Sequence, residues 1–193
     1  MKREVKNCIF AEIEMNSLAY ALLAMVARKD CSGYELVQLL ELFWQAKHSQ
    51  VYPLLAKLEQ KQYVAHRLVK QNGRPDKKIY RLTEQGREIL SAWIHEEPAV
   101  PVVRDEFLTK IYAIWLTSTK RARELLHERI QYFTDMLTDR LLKIREMEER
   151  WSDDLYDPHS PQFGRYMILQ RKTRLEQEEI NWCHWVLERL KKD

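Results

Sequence analysis

The chain has 193 residues, 45% apolar and 32% charged, with 4 Gly and 6 Pro; this limits it to one domain or two small ones, mostly helical because breakers are scarce. Its net charge of +3 is uneven: Trp44–Leu82 carries nine Lys or Arg against Glu59 and Asp76, leaving the remainder net −4. That asymmetry is expected when one part meets phosphate and another does not. Cys8, Cys31 and Cys183 show no paired spacing, so no disulfide framework, metal site or cofactor is expected. No run nears the roughly 18 apolar residues of a membrane span, and Glu12 and Glu14 break any leader-like segment; a soluble cytoplasmic protein without membrane contact is expected.

Residues 1–14 have no clean period; they read as an extension, or translation starts at Met15. Residues 17–28 are apolar nearly all round, with Ser17 as a cap, and must be buried. Ser32 and Gly33 make a turn, and a helix follows over Tyr34–Phe43 with Tyr34, Val37, Leu40 and Trp44 as its stripe. In HSQVYPLLAKLEQK, the residues Val51, Leu54, Leu55 and Leu58 form one apolar stripe, and Gln50, Lys57 and Lys61 lie off it. Pro53 falls in the first turn, where its missing amide costs nothing.

Residues 63–70 and KIYRL read as two strands joined by the turn QNGRPD. Thr83 opens the next helix, through Ile89, Leu90, Trp93 and Ile94. EEPAVP marks a boundary, which predicts domains at 15–97 and 103–193. Residues 104–116 and 119–151 read as two helices. In the second, Leu126, Ile130, Phe133, Leu137, Arg140, Ile144, Met147 and Trp151 step by 4, 3, 4, 3, 4, 3, 4, a heptad seam with Arg140 as the polar intruder. SDDLYDPHSP breaks the chain before a last helix, 162–191, with Ile180, Cys183, Leu187 and Leu190 on one stripe.

The fold class predicted is mainly α with a small β-hairpin: an N-terminal winged helix-turn-helix and a C-terminal domain of long helices. The second helix of the pair can enter a major groove, presenting Lys47, His48, Ser49, Gln50, Tyr52 and Lys57. Gln can bond adenine bidentately, and Ser or His can reach bases or phosphate. The wing carries Lys70, Asn72, Gly73, Arg74, Lys77 and Lys78; Arg74 suits a narrow minor groove, and the lysines suit phosphates. The bland alternative is a solvated basic face. It must also account for a charged hairpin placed directly after that helix.

FWQAKHSQVYPLLAKLEQKQYV, GRPDKKIYRLTEQG and VRDEF together resemble the PadR family, named for the phenolic acid decarboxylase regulator. The family's SGYE turn is matched by Ser32, Gly33, Tyr34 and Glu35, and its FW pair by Phe43 and Trp44. Its HSQ-hydrophobic-YP segment is matched by His48–Pro53, and its K-x-Y-x-L-T-x-x-G by Lys78, Tyr80, Leu82, Thr83 and Gly86. The resemblance covers about 17–190 and implies a homodimer that often represses its own or a neighbouring operon and is released by a small aromatic ligand. Three features depart from it. The stretch before Phe43 is about one helical turn short, Gln62 stands where Gly usually ends the helix, and residues 1–14 have no counterpart.

Two such modules on a two-fold axis would read a palindromic operator in double-stranded DNA. Leu126, Ile130, Phe133, Leu137, Ile144, Ile180 and Leu187 are the expected dimerisation residues; the competing reading packs the two long helices on each other within one subunit. In the dimer reading Arg140 pairs with an acid across the seam, or it snorkels outward. Six tryptophans admit an aromatic pocket for a phenolic acid, although each suits packing as well. The other function classes are a winged-helix protein-interaction module without DNA and an enzyme. The enzyme lacks support: there is no glycine-rich phosphate loop, HExxH or nucleophile elbow.

Overall fold

Helix α1 (Ser17–Arg28) is capped by Asn16 rather than Ser17. The Asn16 side-chain oxygen accepts from the Ala19 amide at 3.0 Å, and Asn16 has the extended backbone of a cap while Ser17 is already helical. The computed structural model describes residues 15–43, 46–71 and 76–190. Residues 1–14, read as an extension, and Trp44, expected to close the stripe of the second helix, lie outside the described residues. The chain divides into two compact units, Met1–Pro98 and Ala99–Asp193.

In the first unit, Ala19, Leu22 and Leu23 of α1 are fully buried and anchor the core. Strand β1 (Cys31–Ser32) leads into α2 (Gly33–Leu40). Ser32 pairs in the sheet with Ile79 and also caps α2 through a reciprocal box: its hydroxyl accepts from the Glu35 amide at 3.3 Å, and its own amide donates to the Glu35 carboxylate at 2.7 Å. Where the sequence suggests a plain turn there is thus a strand and a cap. The helix stops at Leu40, not Phe43, because the amides of Glu41, Leu42 and Phe43 each bond three residues back. Its buried positions are Gly33, Leu36 and Leu40, and Tyr34 is exposed instead of buried.

Helix α3 (His48–Gln60) buries Val51, Leu55 and Leu58. It ends in a Schellman motif: the Gln62 amide donates to the Glu59 carbonyl and the Tyr63 amide to the Leu58 carbonyl, both at 2.9 Å. This needs a left-handed residue, and Gln62 supplies it at φ 61°. A side chain there costs about 1 kcal/mol that glycine avoids. Gln62→Gly is therefore expected to raise stability by up to about 1 kcal/mol in urea melts; a loss would mean that the Gln62 side chain makes a contact worth more than the strain.

Strands β2 (Val64–Val69) and β3 (Lys77–Leu82) pair antiparallel in the sheet order β1-β3-β2, with Arg67 opposite Ile79 and Ala65 opposite Arg81. Thr83 then caps α4 (Glu84–Ile94), accepting from the Gly86 amide at 3.0 Å while its hydroxyl donates to the Gln62 carbonyl at 2.5 Å, with the Tyr63 carbonyl 3.0 Å away. Trp93 of α4 stacks flat on Tyr20 of α1, with ring centroids 4.4 Å apart.

The second unit begins with α5 (Glu106–Tyr112), which breaks into a 3-10 turn at Ile114–Leu116 instead of running unbroken through 104–116. Helix α6 (Thr119–Trp151) and helix α7 (Phe163–Arg189) form an antiparallel hairpin. Leu126 packs with Cys183 and Leu187, flanked by Phe107, Ile111, Ile130 and Trp182. The stripes on the two helices therefore meet within one chain. Leu126, Ile144, Ile180 and Leu187, expected at a subunit interface, are buried by their own hairpin, and Ile130, Phe133 and Leu137 are half-buried. Arg140 neither crosses to a partner nor snorkels. It grips Glu176, its Nε donating to both carboxylate oxygens at 2.8 Å, and each side chain is only 8% exposed.

Candidate nucleic-acid interface

Helix α3 turns its apolar side to the core, and that fixes what faces water. Lys47, His48, Ser49, Gln50, Tyr52 and Lys57 are all exposed. At its start the Lys47 amide donates to Gln50 Oε1 at 3.1 Å. Gln50 thus closes its own helix end, and it must exchange this amide for a base before bonding adenine through both amide atoms. Tyr52 lies on the backbone of Gly33: a β-carbon there would come within 2.7 Å of the ring. A glycine at the start of α2 is what lets the recognition helix approach.

The hairpin is tied to the helices by charge. Lys78 lies 3.5 Å from Glu59 of α3, and His66 Nδ1 contacts the same carboxylate. Lys77 lies 3.5 Å from Glu35 of α2. Hydrogen bonds from the Ser32 hydroxyl and amide, and then the Lys77 charge, outweigh burial and hold the Glu35 carboxyl below its ordinary value. Lys77 and Lys78, expected as phosphate contacts, are thus balanced partly by acids of the same unit. Lys70 is exposed near the wing tip, while Asn72 and Arg74 lie outside the described residues. Arg67 and Arg81, not singled out from the sequence, are both exposed on the strands. Strand alternation puts them on one sheet face, a signal available once the register is known.

Residues 22–92 match the model of the transcriptional regulator PadR-like family, and residues 103–191 match the virulence activator alpha C-terminal model. The negative transcriptional regulator PadR of Bacillus subtilis is 32% identical over 189 residues, covering 93% of this chain and all of that protein. The chain belongs to the PadR-like family. Among solved PadR structures, the Bacillus subtilis protein in complex with operator DNA is 30% identical, with TM-score 0.76, over 90% of this chain and 98% of that one. The same protein in complex with p-coumaric acid is 30% identical, with TM-score 0.60, over 95% and 100% of the two chains.

In this PadR-like chain, the VRDEF segment that opens the second unit organises a charged knot. Asp105 caps α5 by accepting from the Phe107 amide at 2.9 Å and also takes Arg129 of α6. Burial opposes the Asp105 charge, but the hydrogen bonds from Arg129 and Phe107 prevail and lower its pKa. Arg129 also donates to Glu179 at 2.9 Å and lies over Phe107 and Phe133, 4.5 and 4.6 Å from their centroids. The tryptophans are dispersed. Trp93 stacks in the first unit, Trp182 meets Phe107 edge-on, Trp185 lies beneath Arg189, and Trp115 is 78% exposed. Burial pushes the Cys31 thiol up and the Cys183 thiol to about 11, so neither is a ready nucleophile. Among the described residues no metal-ligand cluster occurs, and no helix is long and apolar enough to cross a membrane.

Proposed function

We propose that this protein is a sequence-specific DNA-binding transcriptional regulator, a cytoplasmic homodimer that represses at a palindromic operator until a small aromatic, phenolic effector releases it. In this reading residues 15–97 hold the DNA and residues 103–193 pair the subunits and sense the effector. The observation that carries it is the exposed set Lys47, at the start of α3, and His48, Ser49, Gln50, Tyr52 and Lys57 on it, beside a basic hairpin. Support comes from Bacillus subtilis PadR, a negative regulator crystallised with operator DNA and with p-coumaric acid. Lys70 and the wing residues Asn72 and Arg74 add phosphate and groove contacts, and Lys77 and Lys78 do so to the extent that Glu35 and Glu59 release them.

The test is binding to the duplex upstream of the protein's own gene across a salt series. Affinity should fall steeply with salt, since each phosphate neutralised contributes about −0.9 to the logarithmic slope. Gln50→Ala should cost about 1–3 kcal/mol at sites with the preferred adenine and little elsewhere. An unretarded duplex at low salt, alongside capture of an acidic protein by the same face, would favour the interaction-module reading instead.

A further inference from the structure

We propose that Tyr34, carried by α2 and not by the recognition helix, is a phosphate contact of the DNA interface, held in position by a three-ring stack. This deepens the DNA-binding reading and rests on it. The Tyr34 and His48 rings are near-parallel, with centroids 6.2 Å apart and 26° between planes. His48 and Tyr52 continue the series at 5.9 Å and 16°. Tyr52 rests in turn on Gly33, the residue before Tyr34. The starts of α2 and α3 are therefore joined through one aromatic wall. That wall faces water: Tyr34 is 58% exposed and Tyr52 46%, and His48 between them is exposed as well. Three adjacent exposed rings on a small unit are unfavourable unless a partner covers them.

Position selects the partner. The wall is continuous with the exposed start of α3, beside Lys47. Tyr34 sits in the first turn of α2, where unpaired amides bias the surroundings toward anions. The neighbouring Glu35 carboxylate is occupied by Ser32 and Lys77, which blunts its repulsion of a phosphate. A phenol offers one O–H donor on a rigid ring, and phosphate oxygens accept from tyrosine at duplex interfaces. With α3 in the groove, Tyr34 reaches the strand at its edge and fixes the angle of entry.

Wild type, Tyr34→Phe and Tyr34→Ala are compared on the upstream duplex and on an unrelated duplex, each over a salt series. Phe keeps the ring and removes the donor, and an unchanged melting temperature confirms the fold. Tyr34→Phe should weaken binding about tenfold. The factor should be the same on both duplexes and the salt slope unchanged, because no charge is lost. Tyr34→Ala should be at least as weak. If Tyr34→Phe binds within about twofold of wild type, the phosphate contact is refuted, whatever Tyr34→Ala does. If wild type retards neither duplex, the DNA-binding reading itself fails and takes this contact with it.

Discussion

Replacing Glu176 with alanine should lower the stability of the second unit by about 3–5 kcal/mol, because it strands a guanidinium inside a helical hairpin. Arg140 and Glu176 are each 8% exposed and share a bidentate pair. Lys172 aggravates the loss. Burial, and then the charge of Arg140, push its ammonium pKa down, while Glu176 pushes it up; without that carboxylate two cations face each other in a poorly hydrated place. Urea unfolding monitored by hydrogen exchange in α6 and α7 isolates the effect from the first unit. Arg140→Met combined with Glu176→Leu should recover most of the stability, since the apolar pair leaves no buried charge. A single-variant loss below about 1 kcal/mol would show that water reaches the pair and that it behaves like a surface contact.

Gly86→Ala should cost about 3 kcal/mol in the first unit and weaken DNA binding with it. A β-carbon at Gly86 would fall 2.1 Å from the Tyr63 carbonyl oxygen and 2.9 Å from Leu82 Cδ1. That carbonyl cannot retreat freely, because it accepts from the Thr83 amide at 3.1 Å, and the Thr83 hydroxyl beside it holds the preceding Gln62 carbonyl at 2.5 Å. The clash therefore pushes α4 away from the segment that ends α3 and begins the wing. Gly164 is the matched control: nothing lies within 4 Å of its would-be β-carbon, and Gly164→Ala in α7 should be neutral or gain up to about 1 kcal/mol. Equal behaviour of the two variants in thermal melts would refute the steric account.

What was legible in the sequence was local. The heptad over 119–151 matches α6, and the turn cluster QNGRPD separates two strands, because periodicity and breakers act over neighbouring residues. What escaped was decided by distant partners. β1 is two residues long and exists only because Tyr80 and Ile79 pair with it. Nothing periodic marks Glu176 as the mate of Arg140, 36 residues earlier. The apolar stripes were visible, but not that the returning helix would cover Leu126, Ile144, Ile180 and Leu187 once the chain reverses at 152–162. At the interface, the exposed face of α3 followed from its stripe. The acids that balance Lys77 and Lys78 sit on α2 and α3, so their proximity appears only once the sheet and helices pack.

The α6–α7 hairpin covers itself along one seam only. Tyr132, Leu141, Leu142, Leu175 and Trp185 remain exposed on its outside. In a homodimer these are apolar side chains left for a twin to bury, so thermal melts should shift upward as the protein concentration rises.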